Sequence, residues 1–167
     1  MKIKEFQYPD YIDFNNSINP LLIEWSKTKE DFRVTLGNYE FLDPKYTWHS
    51  VNNLYEYEQF FPLRDFILEK IPSPVRFESM WSVVAKKGYV GKKHRHKGTH
   101  SYCYYVDNGH NGGEEISGKM ILETSNGNEV IEPQDGLLVI FSATKRHNIL
   151  EYLGESYRIV IAGNLII

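Results

Sequence analysis

From about residue 75 onward, short apolar runs rich in Val, Ile and Tyr follow one another, with no helix between them. The candidate strands are Ser79–Lys86, Ser101–Asp107, Gly118–Glu123, Glu129–Ile131, Leu137–Ser142, His147–Tyr152 and Tyr157–Gly163. Turn signals separate them: Asn111-Gly112-Gly113, Asn126-Gly127-Asn128, Asp135-Gly136 and Gly154-Glu155. Parallel strands need long crossovers, so this spacing predicts an antiparallel sandwich or barrel.

Before residue 75 the texture is different. Asn19-Pro20 predicts a helix running through Lys27, with Leu21, Leu22 and Trp25 on one side. Leu54–Ile71 predicts another, restarted at Pro62, in which Leu63, Phe66, Ile67 and Lys70 recur at three and four. The expected organisation is one domain over 1–167, with a helical or irregular part, 1–75, packed on a jelly-roll core, 76–167. A chain of 167 residues is long enough for one such core.

The single cysteine, Cys103, excludes an intramolecular disulfide framework and a four-cysteine zinc site. A net charge of −3 excludes a globally basic nucleic-acid coat. No apolar run follows the first lysines and none approaches the ~20 residues of a membrane span, so a cytoplasmic protein is expected. A homodimer is the base-rate expectation for oligomeric state.

Chemistry concentrates in the histidines. Four of the six fall between positions 94 and 110: His94, His96, His100 and His110. In a strand, His94 and His96 point to one face and can approach one ion; in a helix they would diverge by about 200°. The plainer alternative is an exposed basic loop that happens to contain histidines. His147 opens the penultimate strand and Arg158 lies in the last. If Gly154-Glu155 is a two-residue hairpin, residue 151 falls opposite residue 158, and His147, Ile149, Leu153, Arg158, Val160 and Ala162 share an inward face. The offset along the strand is roughly 13 Å. A metal at His147 and a guanidinium at Arg158 could then hold the two ends of a short dicarboxylate. The competing expectation is that Arg158 pairs with Glu151 across the hairpin.

These elements resemble a known family in order and spacing. They are Trp81, Gly88, His94-Arg95-His96, Tyr104-Tyr105-Val106, the run Pro133 to Phe141, His147, Arg158 and Gly163-Asn164-Leu165. Together they resemble the iron(II)- and 2-oxoglutarate-dependent oxygenases of the H-x-H type over about residues 80–165. The resemblance implies a double-stranded β-helix, mainly β with helices on one outer face. It also implies iron(II), 2-oxoglutarate and dioxygen, with hydroxylation of a substrate coupled to decarboxylation of 2-oxoglutarate to succinate.

Carried over by position, His94 and His147 become iron ligands, and Arg158 the partner of the far carboxylate of 2-oxoglutarate. His96 stands where most of the superfamily has an acid. It either replaces that acid in a neutral three-histidine face, or the motif shifts to His96-Lys97-Gly98, or an acid arrives from Asp107, Glu114 or Glu115. The first is preferred. Tyr104 becomes a candidate to hydrogen-bond 2-oxoglutarate, against the alternative of core packing with a satisfied hydroxyl. Cys103 alternates to the other face, as packing, and His100 is a spare ligand.

Lys86, Lys87, Lys92, Lys93, Arg95, Lys97, Lys145 and Arg146 make a basic region. It suits the dianionic cosubstrate and an anionic small-molecule or peptide substrate, and it matches no nucleic-acid motif. Two other functions fit the same residues. One is a three-histidine cupin oxygenase without 2-oxoglutarate, although His100 stands where its glutamate would be. The other is a non-catalytic jelly-roll binding module.

Overall fold

The apolar runs Val83-Val84, Tyr102 to Val106, Leu137 to Phe141 and Ile159 to Ile161 are continuous rather than alternating. Such runs suit strands covered on both faces. A computed structural model, which describes residues 2–37, 45–110 and 115–167, places them that way. The turn Asn111-Gly112-Gly113 and Glu114 lie outside the described residues.

Among the described residues, ten strands form two antiparallel sheets. They are β1 (Lys4–Gln7), β2 (Thr47–His49), β3 (Arg76–Ala85), β4 (Gly91–His94), β5 (His100–Asp107), β6 (Met120–Thr124), β7 (Gly127–Ile131), β8 (Leu137–Ser142), β9 (His147–Ile149) and β10 (Arg158–Ile166). The larger sheet runs β1-β8-β5-β10-β3-β2 and the smaller β4-β9-β6-β7. This is the double-stranded β-helix. Alternation along the central strands sorts the core into two. Val83, Cys103, Tyr105, Val139, Phe141 and Val160 face the smaller sheet, where they meet Met120, Leu122 and Ile131. Val84, Tyr102, Tyr104, Ile140 and Ile161 face the helices.

Those helices are α1 (Tyr11–Thr28), α2 (Phe32–Thr35) and α3 (Phe61–Glu69). Helix α1 begins well before the expected Asn19 and carries Pro20 in its interior. Proline there forfeits a backbone hydrogen bond, at about 3 kcal/mol. Burial of Phe14, Ile18 and Leu22 against the sheet offsets it, at roughly 1.5–3 kcal/mol per large apolar side chain. Helix α3 does restart at Pro62, after two single 3₁₀ turns over Leu54–Glu56 and Glu58–Phe60. The N-terminal part also enters the sheet itself: β1 pairs with β8 and β2 with β3, forming both edges.

The expected hairpin at Gly154-Glu155 does not form. β9 pairs with β4 and β6, whereas β10 pairs with β3 and β5 in the other sheet. Residues 150–157 cross between sheets, fixed by buried Tyr152, whose N–H donates to Tyr89 O and whose hydroxyl reaches Gly109 O and Ser156 O. Leu153 and Glu151 are consequently exposed, and Glu151 is not the partner of Arg158. Among the described residues, no helix is long and apolar enough to cross a membrane.

Candidate metal centre and its pocket

His94 lies directly opposite His147 across the β4–β9 pair. His96 follows two residues later, where its N–H donates to Ala143 O at 2.9 Å. The three rings approach within 4.4–5.1 Å, and one nitrogen from each lies within 4.8 Å of the others. His94 Nδ1 meets Lys92 O at 2.7 Å and His147 Nδ1 meets Lys145 O at 3.2 Å. A carbonyl only accepts, so each Nδ1 carries the proton and each Nε2 keeps its lone pair free for a metal. Phe141 packs on the His147 ring at 5.0 Å and fixes its plane.

Burial, followed by the neighbouring imidazoles, lowers the pKa of His96 to about 3. Burial and His94 lower that of His147 to about 4 against the opposing bond to Lys145 O. Both rings are thereby held neutral, the form that binds metal. Among the described residues the converging group contains no carboxylate. Asp107 is occupied elsewhere, accepting from Asn19 Nδ2 at 2.7 Å and Gly109 N at 2.8 Å. His100 pairs with Ser142 and Leu165 outside the group, and His110 Nε2 accepts from Ser117 N.

Behind the imidazoles is a cavity of about 120 Å³, lined by all three histidines and by Arg158, Trp81 and Phe141. Arg158 is 1% exposed, and its Nε and Nη2 have no hydrogen-bond partner. A buried guanidinium without acceptors is expensive, so such a group is a place prepared for an anion. Gly118 closes over it: its φ is +68°, and a Cβ there would sit 3.1 Å from Arg158 Cδ and Nε.

Tyr104 is not in this cavity. It faces the helices, where its hydroxyl donates to Asn15 Oδ1 of α1 at 2.7 Å. The reason is parity. Val160 shares the face of Arg158 and pairs with Tyr105, so the odd-numbered residues of β5 look inward. The Tyr105 ring lies 5.4 Å from the Arg158 guanidinium, and its buried hydroxyl lacks a partner. Burial pushes its pKa up, against the pull of Arg158. Pairing Tyr105 with the inward face of β10 was the signal that could have found it. Cys103 likewise faces inward, where burial pushes its thiol up to about 11.

A second cleft, of about 540 Å³, opens outside the histidines. His49, Trp81, Tyr89, His94 and His96 line both spaces, so the cleft meets the cavity at the imidazoles. His49 ends β2, and burial and the charge of Arg33 lower its pKa to about 3. Asp31 caps α2 through Arg33 N, grips the Arg33 guanidinium at Nε and Nη2, and accepts from His49 N.

A double-stranded β-helix with three imidazoles converging at the mouth of a cavity and a buried, unpaired arginine inside it defines a metal-site protein with room for an anionic ligand. The model of the family described as "Putative 2OG-Fe(II) oxygenase" matches residues 79–164, just over half of the chain, and the chain belongs to that family. Iron(II) and 2-oxoglutarate are its metal and cosubstrate. No curated protein sequence matches. Among solved structures, the chain is similar to the viral collagen prolyl hydroxylase of Paramecium Bursaria Chlorella virus-1. There the TM-score is 0.62 at 13% identity, over 99% of this chain and 95% of that one. HygX from Streptomyces hygroscopicus, solved with nickel and 2-oxoglutarate bound, gives 0.61 at 10% identity, over 97% and 82%. An oxidoreductase of the 2OG-Fe(II) oxygenase family from Burkholderia pseudomallei gives 0.50 at 12%, over 68% of this chain and only 55% of that one. At these identities the likeness is one of fold.

Proposed function

We propose that the protein is an iron(II)- and 2-oxoglutarate-dependent hydroxylase in which His94, His96 and His147 hold the metal and Arg158 holds the far carboxylate of 2-oxoglutarate. The observation that carries this is the pairing, in one cavity, of three converging imidazoles with a buried guanidinium whose Nε and Nη2 find no acceptor among the described residues. Iron(II) bound there supplies activation of dioxygen, by which 2-oxoglutarate loses carbon dioxide to give succinate, one oxygen atom entering succinate and the other the substrate as a hydroxyl.

The chain's own residues bind, orient and exclude water. Three neutral imidazoles leave the full double charge on the metal, which favours a dianionic cosubstrate more than a set with a carboxylate would. Arg158 can receive a carboxylate at two N–H groups, and Tyr105 offers a third donor beside it. Val83, Met120, Phe141 and Val160 make the walls apolar, so those charges meet with little water to screen them. The substrate, a small molecule or peptide, reaches the centre through the outer cleft, whose basic rim suits an anionic group.

The test is turnover. Protein loaded with iron(II) in air should convert 2-oxoglutarate to succinate slowly without substrate; His147→Ala should abolish this, and Arg158→Ala should raise the 2-oxoglutarate it needs at least tenfold. Iron binding with no succinate from the parent would favour the cupin-type alternative.

A further inference from the structure

Among the described residues, every side chain of the outer cleft that can carry charge near neutral pH is basic. Arg33, Lys92, Arg95 and the histidines line it, and among the described residues no carboxylate does. Asp31 compensates Arg33 from behind, whereas Lys92 and Arg95 are exposed at the rim with no ion pair among the described residues. The apolar side chains Phe32, Leu36, Trp81 and Val90 share the remaining walls with Tyr89 and the small polar residues Thr47, Ser50, Asn52 and Ser79. Leu36 is 61% and Val90 54% exposed, although large apolar side chains are ordinarily covered. The volume, about 540 Å³, is that of a site for a small organic molecule.

We infer that the substrate is a small organic anion with a flat apolar body, the body lying against Trp81, Leu36 and Val90 and the anionic group held by Lys92 and Arg95. This deepens the hydroxylase assignment and rests on it for the reaction, but not for the binding. Recognition has two points. The apolar walls give affinity by removing surface from water, and the rim cations set orientation and reject positively charged molecules. A body on Trp81 also lies beside His94 and His96, since Trp81 lines both spaces and its ring is 5.9 Å from that of His96.

The experiment is a calorimetric titration with four probes that share one body: 3-phenylpropionate, phenethyl phosphate, 3-phenylpropanamide and 3-phenylpropylamine. Metal-free parent and Arg158→Ala are both titrated, so neither iron nor 2-oxoglutarate is required and the inner arginine cannot account for the result. At least one anion should bind about tenfold or more tighter than the amide, with the amine weakest. The two anions separate carboxylate from phosphate recognition. Lys92→Gln with Arg95→Gln should bring the anion down to the amide, and Lys92→Gln alone should do so in part. Trp81→Ala should weaken all four probes. An amide as tight as both anions, a preferred amine, or an anion preference lost in Arg158→Ala would each overturn the inference.

Discussion

Arg158 and His147 face one cavity from opposite sheets, although they are near neighbours in the chain. The crossing segment 150–157 carries the chain from the sheet that holds the imidazoles to the sheet that holds the guanidinium. A ligand spanning the cavity is therefore gripped by both layers at once.

Arg158 should behave as a binding group that burdens the empty protein. Its guanidinium is buried with Nε and Nη2 unpartnered, so Arg158→Met should leave the metal-free protein as stable as the parent or about 1 kcal/mol more stable. The same change should weaken 2-oxoglutarate by about 2–5 kcal/mol, the loss typical of a desolvated charge pair. Thermal melts with and without 2-oxoglutarate read both. Marked destabilisation of the empty variant would mean that Arg158 is structural.

Adjacent tyrosines should separate cleanly. Tyr105→Phe should weaken 2-oxoglutarate up to about tenfold, the value of one hydrogen bond. Tyr104→Phe should leave that affinity alone and lower stability by about 1 kcal/mol, because it removes the bond to Asn15 Oδ1. Calorimetry and denaturant melts on the two variants distinguish the faces of β5.

Loss of any one imidazole should cost iron(II) more than the roughly 10–100-fold that follows loss of an outer-shell partner. Anaerobic equilibrium dialysis of the three single alanine variants measures this. His96→Asp should keep iron(II), since it restores the acid that most of the superfamily carries there. Unchanged binding in His94→Ala would instead favour the shifted motif, in which His96 is the ligand.

Asp31 should govern the acid limb of stability. Burial works against its charge, but the hydrogen bonds and charge of Arg33 outweigh burial and hold its pKa below the usual value. A depressed folded pKa stabilises above the unfolded value of about 3.9 and loses that contribution as pH falls through the lower folded one. Asp31→Asn should therefore cost about 2 kcal/mol at neutral pH, with the gap from the parent closing below about pH 4. A gap constant from pH 7 to pH 3 would contradict this.

The strands of the second half were legible because β-branched and aromatic runs end at Gly and Asn turns, and Leu137–Ser142 matches its observed bounds. β1, β2 and β4 were not. Each has three or four residues, and all three are edge strands held by their neighbours rather than by their own composition. The histidine cluster was legible from the i, i+2 spacing. The route from His147 to Arg158 was not, because a turn dipeptide does not reveal whether the next strand stays in the same sheet. That same gap hid the inward parity of Tyr105.

The most direct test of the central claim is an anaerobic titration of the iron(II) protein with 2-oxoglutarate, watching for the weak visible charge-transfer band of a 2-oxo acid chelated to iron(II). The account predicts a band in the parent, none in His147→Ala, and one in Arg158→Ala that needs at least tenfold more 2-oxoglutarate. Bound iron(II) with no band at any concentration of 2-oxoglutarate would contradict it.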